Sequence, residues 1–298
     1  MDPECSAGTS VGHRSRRGLD EPAVAAEKRT TLTQATLLKS LLARRLLVAG
    51  IAGIALLLIA SVAAAVIAGR LADRYYRLGQ EIRLDPIGLQ MHAALIEKAK
   101  AQPGRRRLVM FGDSRVAMWT PPAIEGYEIV NLGVGYQTTA QALLRFEREV
   151  PALRPQVVLI EIGVNDLRTI PLFPGQRDEI IRNCKENLRK LVLDSRALGA
   201  TVVLTTIIPL GDISIWRRLY WAPEPVYWAI AEVNEFMRTL TTDRVVLFDA
   251  NPILTTPTGV VKRPFQTDYL HESEAAYRAL NEHLVPLVRR LPAIRAEP

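Results

Sequence analysis

The chain has 298 residues, 48% of them hydrophobic and 23% charged, with a formal net charge of +7 at pH 7. That length supports one sizeable α/β domain plus extra segments and needs no disulfide or metal to staple a core. The positive charge is scattered over many predicted helices and the N-terminal tail, with no basic stripe interleaved with aromatics, so nucleic acid is not an expected partner.

Cys5 and Cys184 form no CxxC pair and no Cys/His cluster with zinc-ligand spacing, so a structural metal site is not expected. Cys184 lies on the stripe Ile180, Cys184, Leu188, Leu191 of a predicted helix, where a thiol is a small buried hydrophobe.

In chain order, residues 1–45 read as an N-terminal tail. Its first 35 or so residues are rich in Ser, Gly, Ala, Arg and Glu without a sustained apolar period, the composition of a flexible segment. Leu46 to Gly69, LLVAGIAGIALLLIASVAAAVIAG, carries no charge and is long enough to cross a hydrocarbon core of about 30 Å, so 46–69 reads as one transmembrane helix. A signal peptide cleaved near Ala63, Ala64 and Ala65 is the rival, but its apolar region would be only about 7 to 15 residues and close to the N-terminus. A buried core helix is disfavoured by the lack of a polar face. Lys28, Arg29, Lys39, Arg44 and Arg45 precede the block, and Arg70, Arg74, Arg77 and Arg83 follow it. This small bias predicts a cytoplasmic N-terminus, hence a single-pass protein of the inner or plasma membrane with its C-terminal part outside the cytoplasm. Residues 70–105 read as a linker and leading helix.

Across 106–298, short β-branched runs alternate with longer amphipathic ones, the pattern of a parallel sheet covered by helices. Strands are predicted at Arg107–Phe111, Glu128–Leu132, Val157–Ile162, Thr201–Ile207 and Val245–Phe248. Helices are predicted near Thr138–Val150, Arg177–Leu198 and Pro225–Leu240, with a last one from about Glu272. Five strands in this rhythm give a three-layer α/β/α sandwich, whose ligands bind beyond the carboxyl ends of the strands.

Four segments sit at those ends. The first strand runs into Gly112, Asp113, Ser114, placing a serine on a turn where an electrophile can reach it, although the same residues are common in plain turns. The second is followed by Gly133, Val134, Gly135, Tyr136, where glycine lets backbone N–H groups approach a ligand or simply makes a tight turn. The third delivers Gly163, Val164, Asn165, Asp166; the Asn amide can donate to an oxyanion, or the pair can cap a helix. After the fifth come Asp268 and His271, three residues apart, a base and a carboxylate that can orient it.

Taken together and in this order, the segments resemble the SGNH (GDSL-like) hydrolase superfamily, whose four blocks carry Ser, Gly, Asn and His. The resemblance covers about Arg107 to Leu291. It implies a flavodoxin-like SGNH fold and a serine esterase with Ser114 as nucleophile, His271 as base and Asp268 as its orienter. It also implies an oxyanion hole from Ser114, Gly135 and Asn165. The chain departs from the pattern at Tyr136, where many relatives have a second glycine.

The expected substrate is an acyl ester, with O-acetyl groups on a cell-envelope polysaccharide the class that the anchor and the resemblance suggest. The same serine could pass the acyl group to a glycan as a transferase, and a non-catalytic glycan-binding or scaffold subunit is the reading from a different class. Trp216, Tyr220, Trp221, Tyr227 and Trp228 crowd one connection, where they could stack a sugar, line an acyl pocket, meet a bilayer interface or merely pack. Lys262 and Arg263 could meet an anionic substrate or lie in a solvated loop. Glu161, inside the third strand, has no catalytic role to fill and would need a partner within the sheet.

Overall fold

The computed structural model describes residues 21–102 and 104–291. The chain divides into two units, residues 1–79 and 80–298. The first is dominated by α1 (Glu21–Leu84), a single helix of 64 residues with no break at 45/46 or at 69/70, where the sequence places boundaries. The part of the expected tail before Glu21 lies outside the described residues. The rest is helical because Glu21 to Arg45 is rich in Ala, Leu and Arg, good helix formers attached to an apolar helix that already meets the cost of nucleation. Within Leu32–Leu84 the helix is long and apolar enough to cross a membrane, and none of that apolar stretch is buried by the protein itself.

The second unit contains α2 (Ala93–Lys100), β1 (Arg107–Gly112), α3 (Ser114–Met118), β2 (Glu128–Gly133), α4 (Thr139–Glu149), β3 (Val157–Glu161), α5 (Val164–Leu167) and α6 (Arg177–Ala197). It continues with β4 (Thr201–Thr205), α7 (Ile215–Arg218), α8 (Glu224–Arg238), β5 (Val245–Phe248), α9 (Asn251–Leu254) and α10 (Glu274–Arg289). The five strands form one parallel sheet in the order β2-β1-β3-β4-β5. The expected three-layer sandwich is therefore the observed fold. Side-chain alternation along β1 divides the core: Val109 and Phe111 join Phe146 of α4, Leu188 of α6 and Val233 of α8 on one face. Leu108 and Met110 join Trp119 and α10's Tyr277, Leu280 and Leu284 on the other. Each such side chain contributes about 1.5 to 3 kcal/mol when fully buried.

β4 ends at Thr205 rather than Ile207 because α8 takes over the backbone there. Asn234 Oδ1 accepts from Ile207 N at 2.8 Å, and Asn234 Nδ2 donates to Ile207 O at 2.9 Å. The chain leaves β1 for the edge strand β2 and returns to β3 on the opposite side, so the topological switch point, where ligands of such sheets bind, lies beside the end of β1.

Candidate active site

Ser114 opens α3 immediately after β1. Gly112 is required at the turn because a Cβ there would stand 2.0 Å from the Glu161 carbonyl oxygen. Asp113 caps α3, its carboxylate accepting from Arg115 N at 2.9 Å. The half-buried Ser114 Oγ lies 3.1 Å from His271 Nε2, and His271 Nδ1 lies 2.8 Å from Asp268 Oδ2. The other Asp268 oxygen accepts from Leu270 N at 2.7 Å and His271 N at 2.8 Å, a local turn that aims the imidazole. Burial would raise the Asp268 carboxyl, but the bonds from His271 and the two amides outweigh it and hold the group below its ordinary value. An ionised Asp268 accepts a hydrogen bond from Nδ1–H, which leaves Nε2 as the acceptor facing the serine hydroxyl. The structure thus brings the three expected residues into one relay.

Beneath it lies a buried ionic cluster. Arg115 is 1% exposed; its Nε and Nη2 donate to Leu270 O at 3.0 and 2.9 Å, and Nη1 donates to Ile208 O at 2.6 Å. Its guanidinium faces Glu272 at 3.4 Å and Glu161 at 3.7 Å, and Tyr277 Oη donates to Arg115 O at 2.9 Å. Glu161 therefore has its partner within the fold, though neither of its carboxylate oxygens makes a hydrogen bond. Burial, reinforced by Asp113, pushes the Glu161 carboxyl well above its ordinary value. Burial also raises Glu272 and lifts Asp113 to about 7. Sequence reasoning passed over Arg115 and Glu272; the available signal was a charged arginine set directly between Ser114 and the apolar Val116.

The other side of Ser114 is built differently. Gly163 enters α5 at φ 127°, a conformation that favours glycine. Asn165 is 6% exposed, and its Nδ2 donates to Gln137 O at 3.0 Å and to Asp113 Oδ2 at 3.3 Å, so both amide hydrogens have acceptors within the protein. Asp166 ties β3 to α4, accepting from Thr139 N at 2.9 Å and Thr139 Oγ1 at 2.6 Å; burial pushes its carboxyl up to about 6. A Cβ at Gly135 would meet only open space. Tyr136 adopts φ 63° and is 76% exposed, a left-handed backbone of the kind that favours glycine. Gln137, also overlooked in the sequence, is buried; its side chain accepts from Arg145 Nε at 3.0 Å and donates to Ile87 O at 2.8 Å.

Of the crowded aromatics, Trp221 and Tyr227 pack inward. Trp221 meets Tyr269 edge to face at 6.1 Å and donates to Arg168 O at 3.3 Å. Trp216, Tyr220 and Trp228 are exposed, and Arg217 lies 4.3 Å from the centre of the Tyr269 ring, next to Asp268. Lys262 donates to Ile253 O at 3.0 Å, and Arg263 pairs with Asp212 at 2.9 Å, so both have partners within the protein. Cys184 is fully buried with its thiol pushed up by burial, and Cys5 lies outside the described residues. Among the described residues no group of His, Cys, Asp and Glu is arranged to hold a metal ion.

The fold agrees with that of known relatives. The model of the GDSL-like Lipase/Acylhydrolase family matches residues 110–279, and the chain belongs to that family. Its structure is similar to that of a candidate acylhydrolase from Bacteroides fragilis, with a TM-score of 0.54 and 21% identity over 69% of this chain and 98% of the other. It is also similar to a GDSL-like lipase from Bacteroides thetaiotaomicron, with a TM-score of 0.53 and 18% identity over 68% and 98% of the two chains. At these identities the likeness concerns the fold. A segment of 83 residues is 35% identical to the uncharacterized lipoprotein YqeF of Bacillus subtilis, spanning 28% of this chain and 33% of that protein. The match thus covers about a third of the curated relative's length.

Proposed function

We propose that the protein is a membrane-anchored serine esterase in which Ser114, His271 and Asp268 deacylate an ester. The observation that carries this reading is the unbroken relay from Ser114 Oγ through His271 to Asp268, at 3.1 and 2.8 Å. Ser114 Oγ attacks the ester carbonyl while its proton passes to His271 Nε2, and Asp268 stabilises the resulting imidazolium. The oxyanion is held by backbone N–H groups at Ser114 and Gly135 and by the Asn165 amide, for which the substrate competes with the weaker, 3.3 Å bond to Asp113. His271 then protonates the leaving alcohol. Water, deprotonated by the same imidazole, attacks the acyl-serine and releases a carboxylate. No step calls for a cofactor.

The proposed substrate class is an O-acetylated polysaccharide of the cell envelope. Its support is the exposed Trp216 and Tyr220 on the connection that carries Arg217 against Tyr269, together with the long apolar α1, read as a single-pass anchor that leaves the catalytic unit outside the cytoplasm. Full-length protein in detergent micelles, incubated with an O-acetylated glycan with and without a deacetylated acceptor, should release acetate at a rate the acceptor does not change. Acetyl transfer in place of acetate release would make it a transferase. No turnover of glycan or model ester would return it to a binding or scaffold role.

A further inference from the structure

We infer that Arg115 is the positioning residue that holds the His271 loop over Ser114, clamping the Leu270 and Ile208 carbonyls with one guanidinium. The inference rests on the proposed roles of Ser114 and His271.

The fold poses a distance problem that the relay alone does not solve. Ser114 follows β1, whereas His271 follows β5, and the order β2-β1-β3-β4-β5 puts three strand spacings between them. At about 4.8 Å each, the loop after β5 must lean back by roughly 14 Å. Within that loop, Asp268 aims His271 but is only three residues away from it, so their bond cannot fix the loop against β1.

Arg115 can, because it adjoins the nucleophile and grips the loop on both sides of the base. Two of its N–H groups go to the carbonyl of Leu270, just before His271, and Nε lies 3.4 Å from the carboxylate of Glu272, just after it. The third bond, to Ile208 O, anchors the clamp to the segment leaving β4. Its own backbone is held by Tyr277, whose ring stacks on Trp119 at 5.7 Å.

The surroundings keep this group charged. Burial would lower the guanidinium, but Glu272, Glu161 and Asp113 outweigh it and hold Arg115 above its ordinary value. Lysine could not substitute, since a single ammonium lacks the planar fork that serves two carbonyls at once. Nor is such a cluster an economical way to stabilise a core. Buried ion pairs are often matched or bettered by well-packed apolar side chains, so what Arg115 adds is geometry.

The test uses full-length protein in detergent micelles, 4-nitrophenyl acetate as substrate, and rates per serine titrated with a fluorophosphonate. Arg115→Lys should lower kcat about 10- to 100-fold with KM nearly unchanged, the order of effect expected from misplacing a reacting group by about an ångström. Because the effect acts through the imidazole, Arg115→Lys should cost nothing further in a His271→Ala background. Tyr277→Phe, which keeps the ring and removes the 2.9 Å bond from Tyr277 Oη that holds the Arg115 carbonyl, should show the same dependence at about 2- to 5-fold. It decides the matter if Arg115→Lys does not fold. An undiminished kcat in the folded variant, or an equal loss with and without His271, would overturn the inference. Full activity in Ser114→Ala would instead overturn the proposed function itself.

Discussion

The two sides of Ser114 contrast. Toward His271, every polar group from Ser114 Oγ to Asp268 has a partner within hydrogen-bond distance, over a buried guanidinium that ties three loops together. Toward Asn165, the amide is already spent on Gln137 O and Asp113, Gly135 faces open space, and Tyr136 occupies a left-handed conformation. In the proposed mechanism the Ser114–His271–Asp268 chain is preorganised in the resting protein, while the Asn165 side takes its working form as substrate displaces an internal contact.

The strongest way to break this contrast is to remove the relay. Ser114→Ala and His271→Ala should each lower kcat toward a model ester by about 10⁴-fold or more, since both act in one proton-coupled step. Steady-state rates of the purified variants would show it, and rates near wild type would contradict it.

On the opposite side, Asn165→Ala should lower kcat by about 10² to 10³ with KM little altered. Because Asn165 also satisfies Gln137 O and Asp113 Oδ2, the variant should lose about 1 to 3 kcal/mol of stability as well. A fall in melting temperature with unchanged kcat per titrated serine would leave Asn165 as a structural tie alone.

How much of this was legible follows from what each feature depends on. The strands were legible because buried parallel strands read as β-branched runs, as in Val157–Glu161, and the Asp268–His271 pair because its spacing is local. The short helices α3, α5, α7 and α9, of four or five residues, have no period to detect. The acceptors of Asn165 Nδ2 and of the Arg115 guanidinium come from segments 28 to 155 residues away, a separation that no local pattern encodes. The start of α1 at Glu21 was masked by a composition that reads as a tail when considered apart from the apolar helix it extends.

Smaller effects sharpen the contrast. Stability should vary with pH through the cluster. Asp113, at about 7, and Asp166, at about 6, bind protons more tightly when folded than an ordinary carboxyl does, as do Glu161 and Glu272. Their contribution is therefore complete below pH 4 or so and is lost as pH rises toward about 7. Asp268, held low, opposes this only at pH values below its ordinary range. The melting temperature should be higher at pH 5.5 than at pH 8, and Asp113→Asn should flatten the difference; a rise toward pH 8 would contradict the cluster's protonation. The smallest expected effect is at Tyr136. Relief of its φ of 63° by Tyr136→Gly should be worth up to about 1 kcal/mol, partly offset by the added freedom of the unfolded chain, with activity preserved or raised. A large loss of activity would mean that the tyrosine ring itself serves the substrate.

The most direct test of the central claim is to locate the reactive serine chemically. Full-length protein labelled with a fluorophosphonate, digested and sequenced by mass spectrometry should carry the adduct on Ser114, with labelling abolished in Ser114→Ala and slowed at least about 100-fold in His271→Ala. An adduct on another residue, or labelling of Ser114 that does not depend on His271, would contradict the account.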